Sequence, residues 1–255
     1  MEKGFWVVTV TRRHLVLAAC AVGLVIGLWQ GTRTASFSAG TLPAAVDPVA
    51  AQPLSQDRPV RQVPHAKGKM ALTINVDWGN EVIPDMLDVL EQRGVRATFF
   101  LTGRWAARFP EMARMIAERG HEIGNHGQSH AHPTQLSDQA LRQHIAGNVS
   151  VLREAIGREP VPLYAPPYGE QNERVVAAAK EHGHWTTLWT LDTIDWQDPA
   201  PATIVQRIVP RAADGAIVLM HPKPQSLEAL PAIIDGVRAA GFEWVPLYEM
   251  IQSAM

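Results

Sequence analysis

The chain has 255 residues, a formal net charge of −2 and 46% hydrophobic residues, which suits one domain of moderate size with appendages. The near-neutral balance excludes the basic stripe that nucleic-acid binding calls for. The single cysteine, Cys20, excludes an intrachain disulfide framework and a cysteine-based zinc site.

In chain order, Lys3, Arg12 and Arg13 precede an uncharged apolar run from Leu15 to Trp29. As a helix this run reaches only about 22 Å, short of the ~30 Å hydrocarbon core. A signal-peptide core has that length. Trp29 at the boundary suits an interfacial anchor, and Ser36-Phe37-Ser38 is a mediocre cleavage site. Residues 1–29 are therefore read as a signal anchor that stays uncleaved, or else as a signal peptide. Either reading places the remainder outside the cytoplasm, anchored to the membrane or secreted. Residues 30–68, with Pro43, Pro48, Pro53, Pro59 and Pro64 in an Ala-rich stretch, read as a tether. Residues 69–255 read as the globular domain.

That domain alternates strands and helices. Strands are predicted at 70–76, 97–101, 122–124, 162–165, 185–191, 216–220 and 242–246. Helices are predicted at 84–93, 111–119, 137–156, 173–181, 202–213 and 227–240, with a further one closing the chain. Proline opens and glycine closes several of them. The alternation implies βαβ units and a parallel sheet. About seven such units predict a closed (β/α) barrel, with an open doubly wound sheet as the alternative. No G-x-G-x-x-G or Walker loop is present.

In a barrel the active site lies at the C-terminal ends of the strands. Polar residues collect there: Asn75 and Asp77, His126 and His130, Tyr168, Asp192 and Asp195, and His221. His126 and His130 are spaced to aim two imidazoles at one ion, and neutral imidazole is the commonest metal ligand. An anionic third ligand such as Asp77 would complete an open site of the catalytic type. His121 and His132 read as structural or solvated, Asp192 as a structural hydrogen-bonder, and Trp185, Trp189 and Trp244 as core.

At these residues the chain resembles the polysaccharide deacetylases, the NodB-homology group or carbohydrate esterase family 4. Ala71-Leu72-Thr73-Ile74-Asn75-Val76-Asp77-Trp78-Gly79 stands where that family has its T-F-D-D or T-F-D-x-D strand end. Asn125-His126-Gly127-Gln128-Ser129-His130 is similar to its metal-histidine loop, and Ala165-Pro166-Pro167-Tyr168-Gly169 to R-P-P-Y-G. Asp192-Thr193-Ile194-Asp195-Trp196 and Ile217-Val218-Leu219-Met220-His221 are similar to D-x-x-D-W and I-V-L-L-H. The Trp78-Gly79 variant and the N-terminal anchor are most similar to the sporulation-associated branch.

The resemblance implies a deformed (β/α) barrel and metal-dependent removal of acetyl groups from N-acetylated cell-wall or chitin-like glycans. It implies Asp77, His126 and His130 as ligands of Zn2+ or another divalent ion. It gives His221 the proton for the departing amine, held by Asp195, and gives the Tyr168 N–H a share of the oxyanion. Trp78, Pro166, Pro167, Trp196 and Leu219 would wall the substrate. Two positions depart from the pattern. The family's catalytic base is an aspartate, here Asn75, and its partner arginine is here Ala165. An amide does not accept a proton near neutral pH. Two function classes follow: a deacetylase of reduced activity, and a weak or inactive relative that binds glycan or serves the envelope. The pattern does not address oligomeric state.

Overall fold

Buried without a break from Met70 to Val76, Lys69–Val76 (β1) is the central strand of the computed structural model, which describes residues 53–255. Around it lie Thr98–Leu101 (β2), Glu122–Asn125 (β3), Leu163–Tyr164 (β4), Trp185–Thr186 (β5), Leu191–Asp192 (β6) and Ile217–Met220 (β7). They run parallel in the order β5-β4-β3-β2-β1-β7-β6, while Glu243–Trp244 (β8) pairs with the foot of β1. The curled sheet with helices outside is the deformed (β/α) barrel that the resemblance implies; β5 and β6 do not pair, so it is neither the closed barrel that the alternation predicts nor the open doubly wound sheet.

Strand periodicity sorts the layers. Leu72, Ile74 and Val76 of β1 pack outward with Phe99, Leu101, Val218 and Met220. Ala71, Phe100, Leu163 and Ile217 pack inward. Side chains two apart share a face. Asn75 and Asp77 therefore continue the inward set begun by Ala71 and Thr73.

The outer layer is built from Ile83–Gln92 (α1), Gly103–Arg108 (α2), Pro110–Glu118 (α3), Asp138–Ile156 (α4), Glu173–Glu181 (α5), Pro201–Ile208 (α6) and Pro224–Ala239 (α7). α1 buries Ile83, Met86, Leu87 and Leu90, one stripe at helical spacing. The Ser137 side chain caps α4 by accepting from the Ala140 N–H, and Gly157 ends it in the left-handed region at φ 71°. The last helix, Leu247–Gln252 (α8), lies across the barrel floor. The Leu247 N–H donates to Thr98 Oγ1, and the Tyr248 and Glu249 N–H groups donate to the Glu122 carboxylate. A carboxylate at a helix N-terminus suits the dipole.

Three expectations need correction. The predicted strand 185–191 is two strands, because the chain changes partners midway. The Thr187 N–H donates to Tyr164 O on one side of the gap, and the Thr190 N–H donates to Ile217 O on the other. The last part of the predicted tether is built into that gap. Val60 and Val63 are 4% and 1% exposed. The Val60 N–H donates to Thr186 O, the Leu188 N–H to Val60 O, and the Val63 N–H to Gly215 O. Helix α2 was not predicted, although Thr102 is a capping residue at its start. The signal-anchor reading, the first part of the tether and Cys20 lie outside the described residues. No helix among the described residues is long and apolar enough to cross a membrane.

Candidate active site

The histidine loop leaves β3 at Asn125 and is shaped by buried amides. Asn125 Oδ1 accepts from the Gly127 N–H (2.7 Å) and from Asn148 Nδ2 (2.8 Å), while its Nδ2 donates to Ile145 O. Gly127 has φ 80°, and a Cβ there would fall 1.9 Å from His144 Nε2, so only glycine fits this turn. The His126 N–H donates to Leu101 O, and its Nδ1 lies 2.6 Å from Ala165 O. A carbonyl only accepts, so Nδ1 carries the proton and Nε2 is left free to ligate. The His130 ring stands edge-on, with centroids 5.2 Å apart.

Across the barrel, His221 is clamped by a fully buried carboxylate. Asp195 Oδ1 is 2.7 Å from His221 Nδ1, and Oδ2 accepts from the His221 N–H and from Ser226 Oγ. The clamp fixes the proton on Nδ1 and leaves Nε2 on the cavity side. Trp78 stacks on His221 with centroids 5.6 Å apart and meets His130 edge-on, so it bridges the two groups. Tyr168 takes a left-handed backbone, φ 60°, and its ring packs against His130 and His132. Such a conformation in a non-glycine residue marks a turn held by its surroundings.

One cavity of about 340 Å³ gathers most of the predicted site. Asn75, His126, His130 and His221 line it with Trp78, Tyr168, Trp196 and Leu219. Asp195 stands behind His221. Pro166 and Pro167 are buried and do not line this cavity. Trp189, read as core, faces the cavity, and Asp192 lines it while its Oδ1 accepts the Ile194 N–H. Asn75 is 5% exposed, and its Oδ1 has no hydrogen-bond partner within the protein.

Asp77 is not among the residues that line this cavity. It lines an adjoining cavity with Arg104, and its carboxylate is engaged. Thr102 Oγ1 donates to Oδ1 (2.7 Å), Arg104 Nε donates to Oδ1 (2.6 Å), and Arg104 Nη2 donates to Oδ2. Among the described residues no three His, Cys, Asp or Glu side chains stand together as a metal group. The donor chemistry nevertheless fits a divalent ion: two imidazoles, one held by a carbonyl through its far nitrogen, and one buried carboxylate. Asp77 is near enough to act on the charge of His126 and His130, and its carboxylate is held by the Arg104 ion pair. Arg104 carried no sequence signal beyond its place just after a strand end.

Burial sets the charge states. It pushes the His126 imidazole down to about 3, and lowers His130 as well. Burial works against ionised Asp77, but hydrogen bonds from Arg104 and Thr102 outweigh it and hold the carboxyl below its usual range. Outside the cavity, burial pushes His121 and His144 down to about 4. Both imidazoles take up protons in the unfolded chain below about pH 6.5 but stay neutral in the fold. Their stabilisation is complete above that pH and is lost as pH falls towards 4. The slope is about 1.4 kcal/mol per pH unit for each, before screening. The urea midpoint should therefore fall between pH 6.5 and 4.5, and a flat midpoint would contradict this.

Comparison with known proteins agrees with this geometry. The sequence model of the family described as polysaccharide deacetylase matches residues 62–186. A peptidoglycan-N-acetylglucosamine deacetylase of Bacillus cereus is 33% identical over 196 residues, covering 75% of this chain and 71% of the relative. The chain belongs to the polysaccharide deacetylase family. The uncharacterized protein YlxY of Bacillus subtilis is 36% identical over 187 residues, 73% of this chain but only 58% of that relative's length. The crystal structure of BA3943 from Bacillus anthracis, described as a CE4 family pseudoenzyme, superposes with a TM-score of 0.75 at 36% identity, covering 78% of this chain and 70% of that one. A mutant of BA3943, described as having restored enzymatic activity, superposes with the same TM-score at 34% identity, covering 78% and 72%.

Proposed function

We propose that the protein removes acetyl groups from N-acetylated cell-wall glycan, slowly, because an amide stands where the family has its base. The observation that carries this is one cavity holding His126, His130 and the clamped His221 beside Asn75. The name of the Bacillus cereus relative supports peptidoglycan as the substrate class.

Asp77, His126 and His130 would hold Zn2+ or another divalent ion, which supplies polarisation of the acetyl carbonyl and activation of water. His221 keeps its Nδ1 proton on Asp195 and, when it carries a second proton on Nε2, gives that second proton to the departing amine. The Tyr168 N–H contributes to holding the oxyanion. Trp78, Trp196 and Leu219 wall the acetyl group, and Pro166 and Pro167 brace the Tyr168 turn. Asn75 Oδ1 accepts a hydrogen bond from water but does not take its proton.

A second reading, glycan binding without hydrolysis, is favoured by Asn75 and Ala165 together and by the likeness to a pseudoenzyme. The BA3943 mutant described as having restored enzymatic activity supports the view that this fold can regain activity by substitution. In both readings the domain works outside the cytoplasm, held by an N-terminal anchor or released after cleavage, with a sporulation role as the narrower proposal. Acetate release from N-acetylglucosamine oligomers with added Zn2+ tests the first reading. We expect slow release that His126→Ala abolishes. Oligomer binding with no release at any metal concentration would establish the second reading instead.

A further inference from the structure

Asp77 is buried, with 5% of its side chain exposed, so its charge needs a cation. Arg104 supplies one in forked geometry, with Nε on Oδ1 and Nη2 on Oδ2. Both carboxylate oxygens thereby accept from the guanidinium, and Oδ1 also accepts from Thr102. The backbone beneath the fork is fixed. The Gly103 N–H donates to Gly127 O and the Arg104 N–H donates to Gln128 O, both 2.9 Å, which ties the first turn of α2 to the histidine loop. The side chain is not fixed in the same way. It is 58% exposed and lies on the wall of an adjoining cavity of about 440 Å³, beside Asn80, Arg108 and Phe109. Thr102, also on Asp77, would keep the carboxylate in place if the guanidinium left.

We propose that Arg104 is a built-in cation that competes with a metal ion for Asp77, so that loading of the site requires the guanidinium to swing off the carboxylate. This rests on the reading of Asp77, His126 and His130 as the ligand set, and it concerns how tightly that set holds its ion. The fork puts the guanidinium on both oxygens, so a divalent ion that used Asp77 would have to share the carboxylate with a second positive charge. Apparent affinity falls by the fraction of time the carboxylate is free. For a charged, forked pair on a buried carboxylate, that fraction corresponds to about 10–100-fold.

The test is a Zn2+ titration of the full chain against a competing chelator, with thermal melts alongside. Arg104→Ala should bind Zn2+ about 10–100-fold more tightly than the natural protein. It should melt lower without zinc, because Asp77 loses its partner, and gain more from zinc. Arg104→Lys, which keeps the charge and loses the fork, should fall between the two. Should Arg104→Ala fold poorly, Arg104→Gln in the same titration carries the same expectation. Equal Zn2+ affinity in the natural protein and these variants overturns the role of Arg104 alone. No Zn2+ binding by any of them overturns the ligand reading, and this proposal with it.

Discussion

Asn75→Asp should raise kcat/KM on an acetylated oligosaccharide, and Asn75→Asp with Ala165→Arg should raise it further. General base catalysis contributes about 10²–10⁴-fold, and that is the range expected for the double variant. The single variant should fall short for a stated reason. Position 75 is 5% exposed, so a lone carboxyl there is desolvated and pushed up, and part of it is protonated at neutral pH. An arginine at 165, where Ala165 lies in the inner apolar cluster, would hold the carboxylate ionised. The single variant should therefore need a higher pH for half-maximal rate than the double one. A natural protein already as fast as the double variant would mean that another group does the base's work. Asp192, which lines the cavity, would be the first to substitute.

The second large effect is on stability. Asp195 is fully buried and takes three hydrogen bonds from His221 and Ser226. Asp195→Ala leaves those donors unmet in the interior and should cost about 3–5 kcal/mol. For a domain of this size that lowers Tm by about 6–20 °C. Asp195→Asn should lose less stability but much of the rate, since a neutral amide keeps a hydrogen bond to Nδ1 but no longer supplies the negative charge that supports His221 with protons on both ring nitrogens. Burial opposes the charge of Asp195, yet the His221 and Ser226 hydrogen bonds hold its carboxyl below the usual range. Its contribution is therefore present above about pH 4 and lost as the pH falls through the lowered value. A melt of Asp195→Ala that matches the natural protein at pH 7 would refute the clamp.

The layer order and most of the cavity were legible because they rest on local patterns. Alternation along β1 puts Asn75 on the inner face. The four-residue spacing of His126 and His130, and the strand-end rule for barrels, bring the remaining groups to one mouth. Features set by distant partners were not legible. Residues 60–63 look like tether because their hydrogen bonds go to 186–188 and 215, more than 120 positions away. Strands of two residues, such as β5 and β6, are too short to show a period, so the break that turns Trp189 toward the cavity left no trace. Arg104 is one exposed cation in a short helix, and nothing local says that its fork falls on a buried aspartate.

The way the chain enters its barrel has an orientational consequence. Pro53 and Leu54 share a hollow with Ala254 and Met255 at the end of α8, the helix laid across the first residues of β2 and β3. The cavity opens at the opposite ends of those strands. The described chain therefore begins at the floor, and the mouth of the cavity lies at the other end of the strands. A substitution among the residues of that floor, such as Leu54 or Ala254, is accordingly expected to act on stability and leave the chemistry of the mouth untouched.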